Sequence, residues 1–277
     1  MLTKHRCVVS SVLVALSLTA GHAGAEILFE DGFESGTRNT TQNGVRWHYS
    51  TDNVRPTTDR AYKGRYSLVF PFRGVPSGQD SFEEQRIRFG NQYKELWIKY
   101  DVYIPSNYHH RREQGGDNNK FFAIYNNNYQ PGFQVNFSLH PRSDGGSNLA
   151  IHYYRNGREE PFISNRDALF TPEDFGKWHR IVMHFKVASS TNASDGVQEL
   201  WKNGRSIMSI KNLANGGPAG LNYMDEAYIW GWANSGFNEN THIYVDDVVI
   251  STSPIPLEED GGTRRTVPNP PTDVRAN

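Results

Sequence analysis

The chain of 277 residues contains a single cysteine, Cys7. It lies early in an N-terminal stretch with a basic start (Lys4, His5, Arg6), an apolar centre from Val8 to Ala20, and a small-x-small step at Ala23-Gly-Ala25. That order of segments predicts a signal peptide over 1–25 and export to an extracellular or periplasmic space. Without Cys7 no disulfide is left to hold the remainder, so stability must come from a packed core, with a bound ion as a further aid. The apolar centre is too short to span a bilayer, and no other long apolar run exists. An excess of either charge is also lacking: 29 Lys and Arg face 30 Asp and Glu, which implies no nucleic-acid partner. There is no Gly-rich phosphate loop, no His-Glu-x-x-His zinc motif and no Ser nucleophile elbow.

Long helical periodicity is missing too. Short alternating runs split by Gly, Asn, Asp and Pro fill positions 27 to 253. About a dozen strands are expected: 27–29, 67–70, 83–89, 95–104, 120–125, 132–140, 148–155, 179–187, 197–202, 205–211, 226–232 and 241–251. Asn156-Gly157 and Asn203-Gly204 read as two-residue hairpin turns. Thr171-Pro-Glu-Asp174 reads as a short capped helix. The pattern is all-β, a sandwich or jelly roll of two antiparallel sheets over 26–253. The remainder, 254–277, is rich in Pro, Glu, Asp, Gly, Arg and Thr, and is expected to be a disordered tail or linker.

Aromatics make up 13% of this polar chain, which suits a β protein that displays rings at its surface. The most informative stretch is Phe133-Gln-Val-Asn-Phe-Ser-Leu-His140, a Pro/Gly/Ser loop, then Leu149-Ala-Ile-His-Tyr-Tyr154. Strand side chains alternate between faces. Phe133, Val135, Phe137 and Leu139 therefore share one face with Leu149, Ile151 and Tyr153. Gln134, Asn136, Ser138 and His140 share the other with Ala150, His152 and Tyr154. Taken singly, each histidine reads as a hydrogen-bonded surface residue; together they form a cluster. In Tyr228-Ile-Trp-Gly-Trp232, alternation puts Tyr228, Trp230 and Trp232 on one face, either as a sugar-stacking platform or as core. His109-His-Arg-Arg112 is a basic loop, open to acidic chains or merely solvated.

Several segments resemble the concanavalin A-like jelly rolls. Phe29-Glu-Asp-Gly-Phe-Glu34-Ser-Gly36, Ala61-Tyr-Lys-Gly-Arg-Tyr-Ser-Leu68 and Ile243-Tyr-Val-Asp-Asp-Val-Val249 are similar to the frame in which first and last strands pair and a structural calcium often sits. The resemblance implies ligands from the Glu34 and Asp246 carboxylates and the Gly32 and Lys63 carbonyls, oxygen donors of the kind Ca2+ takes. The alternative is that Glu34 and Asp246 cap turns.

Within that superfamily the chain resembles the heparin, glucuronan and alginate lyases. Ser81-Phe-Glu-Glu84-Gln-Arg86-Ile-Arg88 is similar to an Arg-x-Glu-x-Arg strand lacking its first Arg. Phe133-Gln134-Val-Asn136 is similar to a Gln-Ile-His strand with Asn136 in place of His. Lys120 after Gly115-Gly-Asp-Asn118 is similar to a Gly-Gly-Lys strand start. Trp178–Lys186 and Val197–Gly204 resemble the back-sheet strands of the group. The resemblance implies a lyase that cleaves an acidic polysaccharide by β-elimination. Its candidate catalytic groups are Arg86, Gln134, Asn136, His140, His152, Tyr154 and Tyr228, and its candidate substrate contacts are Arg88, Lys120, Trp230 and Trp232. Such chemistry needs donors at the uronate carboxylate and a group to take and return a proton. The spaced carboxylate pair of the related retaining glycanases is absent, which disfavours a hydrolase. Arg86 with Glu84 can also be a plain surface ion pair. A non-catalytic carbohydrate-binding module and an adhesive surface domain remain alternatives, and a monomer is expected in each case.

Overall fold

The computed structural model describes residues 26–112, 118–126, 128 and 132–257. Among these, seventeen strands follow one another: β1 (Ile27–Asp31), β2 (Thr41–Gln42), β3 (Val45–Ser50), β4 (Arg55–Thr57), β5 (Ser67–Phe72), β6 (Ser81–Tyr93), β7 (Glu95–Ile104), β8 (Asn119–Tyr125), β9 (Gln134–Pro141), β10 (Ser147–Arg155), β11 (Arg158–Glu159), β12 (Ile163–Phe170), β13 (Lys177–Lys186), β14 (Gly196–Lys202), β15 (Arg205–Leu213), β16 (Met224–Ala233) and β17 (Thr241–Ser251). The expected leader (1–25), the 113–117 part of the Gly-Gly loop and positions 258–277 of the tail lie outside the described residues.

The strands form the two antiparallel sheets of a jelly roll. One runs β15-β14-β13-β7-β17-β5-β4, with β1 also paired to β17, so first and last strands meet as expected. The other runs β11-β10-β9-β8-β16-β6-β3-β2, with β12 paired to β10. Alternation explains the layering. Leu96, Ile98, Tyr100, Val102 and Ile104 of β7, with Ile181, Met183 and Phe185 of β13, turn inward from the first sheet. Ile87, Phe89, Ile124, Val135, Phe137, Leu139, Leu149, Ile151, Ala227 and Ile229 turn inward from the second. Phe185 meets Phe122 and Phe137 across the interface, with centroids 5.5 and 5.3 Å apart. Each such ring contributes about 1.5–3 kcal/mol through burial.

Turn chemistry sets the register. Asn156-Gly157 and Asn203-Gly204 have positive φ at both residues, as a type I′ hairpin requires, and so does Asn43-Gly44 between β2 and β3. The expected helix after Thr171 is a single 3-10 turn at Pro172–Asp174, where the Asp174 carboxylate accepts the Thr171 N–H. Among the described residues no helix is long and apolar enough to cross a membrane.

Candidate functional site

The second sheet turns a polar face away from the core. Its centre is the expected hairpin: β9 and β10 pair with Leu149 opposite Leu139, Ile151 opposite Phe137 and His152 opposite Asn136. The greasy face is buried, and the amide and imidazole groups lie on the far side as alternation dictates. Register then carries one row across five strands. Arg86 on β6 faces Tyr228 on β16, Tyr228 faces Ala123 on β8, Ala123 faces Asn136 on β9, and Asn136 faces His152 on β10. At about 4.8 Å per strand the row extends about 19 Å. A second row beside it holds Arg88, Glu226, Tyr125 and Gln134. Arg86, Gln134, Asn136, His140, His152, Tyr154 and Tyr228 therefore share one face of one sheet.

Two neighbouring bulges shape the middle of this face. The β8–β9 register shifts between Lys120 and Phe122, which sends both Phe121 and Phe122 into the core. Lys120 stays opposite Ser138, and Ala123 and Tyr125 pack on Tyr228 outside the core. The β16–β8 register shifts between Ile229 and Ala233. Trp230 there has φ +55° and Gly231 φ +154°. A Cβ on Gly231 would stand 3.3 Å from Lys120 Cβ and 3.4 Å from a Glu84 carboxylate oxygen, so glycine at this positive φ lets the two bulges nest without crowding.

This geometry corrects the expected sugar platform. Alternation fails at Trp230, which turns inward at 1% exposure against Phe72 and Phe121 and is core. Tyr228 keeps the polar face but is only 4% exposed, so its ring forms the floor between Tyr125 and Arg86. Trp232 remains outside at 47% exposure, stacked on Phe82 at 4.6 Å. The basic loop is corrected in part. His110 and Arg111 are buried, His110 bonding Ser147 and the Arg111 guanidinium donating to the carbonyls of Val75, Pro76 and Phe237. His109 and Arg112 are exposed.

Both arginines of the face are paired with carboxylates. Arg86 Nε is 2.5 Å from Glu84 Oε1 and its guanidinium lies 5.0 Å from the Tyr49 ring centroid. Arg88 Nη2 is 2.5 Å from Glu226 Oε1 and 3.1 Å from His48 Nε2. Burial raises the Glu84 carboxyl above its ordinary value against the pull of Arg86. Burial lowers Lys120. Burial and the Lys120 charge lower His152 against the pull of Glu159, so its ring is held neutral. Burial raises Tyr154 and pushes Tyr125 and Tyr228 far up, so all three phenols carry their protons at neutral pH.

Three groups on this face escape the sequence reading. Tyr125 stands in the second row, but the β8 bulge hides its face from any alternation count. Phe162 is 52% exposed with its ring 5.2 Å from His140 and 5.3 Å from His152. Glu159 follows the Asn156-Gly157 turn and places Oε1 3.5 Å from His152 Nδ1, a position readable once the turn fixes the pairing.

The expected calcium ligands gather at the corner where β17 meets the 61–66 turn. Among the described residues no three His, Cys, Asp or Glu side chains cluster as metal ligands, so carbonyls would have to supply most of the shell. Asp246 is fully buried and accepts the N–H groups of Tyr62, Lys63 and Asp247. The ammonium groups of Lys63 and Lys99 reach Asp247 instead. Burial pushes Asp246 up to about 7. Gly32 lies beside it, a Cβ there falling 3.9 Å from Asp246 Oδ1. A buried carboxylate served only by amide protons fits a cation. Glu34 is engaged in the same way, both its oxygens accepting the Arg65 N–H and Oε1 also the Tyr66 N–H.

No curated protein sequence matches the chain. Among solved structures, an endo-beta-1,4-glucuronan lyase from the fungus Trichoderma reesei superposes with a TM-score of 0.60 at 17% identity, covering 82% of this chain and 96% of that one. The alginate lyase vAL-1 from Chlorella virus gives 0.54 at 13%, covering 82% and 100%. The alginate lyase Aly36B gives 0.51 at 12%, covering 78% and 86%. At such identities these likenesses speak for the fold. The sequence itself supplies the rest: residues 33–248, nearly the whole described sandwich, match the polysaccharide lyase family, and the chain belongs to it.

Proposed function

We propose that this polysaccharide lyase cleaves a uronate-containing chain by β-elimination along the polar face of the second sheet. The supporting observation is the in-register row of Arg86, Tyr228, Asn136 and His152. In the proposed step the proton next to the uronate carboxylate leaves for a base and the glycosidic C–O bond breaks. A carbon–carbon double bond forms, and the departing oxygen takes up a proton. The carboxylate must be neutralised first, and Asn136, Gln134 and the Lys120 ammonium supply donors without reorganisation. His152, held neutral, accepts the proton at Nε2 while its Nδ1 faces Glu159. Tyr154, a protonated phenol two residues along the same strand, returns one to the leaving oxygen. Arg86 and Arg88 favour acidic sugars on the β6 side. Secretion as a monomer, directed by the leader, and a structural calcium at Asp246 belong to the same proposal.

The test is incubation with glucuronan, alginate and glycosaminoglycans, following the ultraviolet absorbance of the unsaturated uronate end. Absorbance should grow with one of them. The exposed Trp232–Phe82 stack favours a second reading, a binding module that holds sugar without cutting it. Saturable binding to one polymer with no absorbance on any would establish that reading.

A further inference from the structure

His140 and His152 stand on adjacent strands with their Nε2 atoms 3.4 Å apart. That is long for a hydrogen bond, which prefers about 2.7–3.2 Å. It is close to the bite of a tetrahedral metal: two nitrogens each about 2.05 Å from one ion, at the tetrahedral angle, are about 3.3 Å apart. The two ring planes are tilted by 26° to one another. Glu159 adds a second feature of imidazole–metal sites. Its Oε1 is 3.5 Å from His152 Nδ1, on the far side of the ring from His140. The negative charge of that carboxylate favours a proton on Nδ1, which leaves the Nε2 lone pair facing His140, the sense in which an outer carboxylate orients a ligating histidine. The exposed Phe162 ring lies against both imidazoles.

We propose that His140 and His152 form a two-imidazole site for a divalent transition metal ion such as Zn2+, completed by water and oriented by Glu159. The nearby Lys120 charge repels a cation, so binding is weaker than in a closed structural site. Because the site contains His152, filling it removes the proposed base; that consequence rests on the functional reading above, whereas binding does not.

Calorimetric titration of the untagged protein with ZnCl2 tests the site directly. One Zn2+ per chain is expected. Saturable binding should disappear in both His140→Ala and His152→Ala and persist in His242→Ala, an exposed histidine on the first sheet. Glu159→Gln should weaken binding about 10- to 100-fold. Circular dichroism and thermal melting of each variant show that the sandwich is intact, and His140→Gln repeats the test with a side chain of similar reach. In the lyase assay Zn2+ should inhibit and a chelator should restore the rate. Absence of saturable binding, or binding unchanged in both histidine variants, overturns the site. Binding without any lyase activity keeps the site and removes only the functional reading.

Discussion

At His152 one side chain has two neighbours that pull in opposite directions. Lys120 favours the neutral ring, and Glu159 favours the charged one. Burial adds to Lys120 and the balance falls below the ordinary imidazole value. A base of this kind is lost as pH falls through its lowered pKa. The acid limb of kcat/KM should therefore lie below that of a free imidazole, and Glu159→Gln should move it lower still. An acid limb at or above the free value, or one unmoved in Glu159→Gln, counts against His152 as the base. Trp232→Ala should raise KM with little change in kcat, since a stacking contact made equally in ground and transition states supplies uniform binding. Individual residues were legible where alternation holds, so Gln134, Asn136, His140, His152 and Tyr154 fall on the expected face. Trp230 was not, because one positive φ turned it through the sheet, and nothing in Tyr-Ile-Trp-Gly-Trp marks which residue will do so.

The nested bulges of β8 and β16 act at the scale of elements. Gly231 has no side chain of its own, yet its missing Cβ lets Lys120 and Glu84 approach the same point. Gly231→Val should push Lys120 aside and lower kcat by more than tenfold, with lowered stability from a strained φ. An active, unstrained Gly231→Val would show the bulges to be incidental. Trp230→Ala, by contrast, opens a core cavity and should cost about 3–5 kcal/mol in chemical denaturation. Were it to weaken sugar binding at unchanged stability, its inward placement would be wrong. Strands with clean patterns, such as β7 and β13, are legible from sequence. β12 was not, since Ser164-Asn-Arg-Asp167 interrupts any apolar alternation at a sheet edge. β3 carries its own signal, Asn43-Gly44 followed by Val-Arg-Trp-His, although its short length and neighbouring β4 blur it.

For the whole molecule, Asp246 matters as a buried carboxylate that ties the last strand to the 61–66 turn. Its folded pKa, about 7, lies above the unfolded carboxylate value, so ionising it in the fold costs free energy. That cost is absent at low pH and complete once pH exceeds the folded value. A cation at Asp246 offsets it. Calcium should then raise the melting temperature more at about pH 8 than at about pH 5, and Asp246→Asn should remove the difference. Identical melting in calcium and in chelator at both pH values would leave the corner without an ion. The jelly-roll architecture was readable because it follows from period-two patterning and turn residues. The convergence of Arg86, Asn136 and His152 was not, because it depends on strand order, which brings β6, β16, β8, β9 and β10 together from distant parts of the chain.

The central claim is that the polar face of the nine-stranded sheet removes a proton from a uronate and breaks its glycosidic bond. The most direct measurement is the rate of unsaturated-end formation on the best uronate polymer by wild type, Asn136→Ala and His152→Ala, each with its melting curve. Both variants should melt like wild type and lose about 100-fold or more in kcat. Wild-type rates from both folded variants would place the chemistry elsewhere.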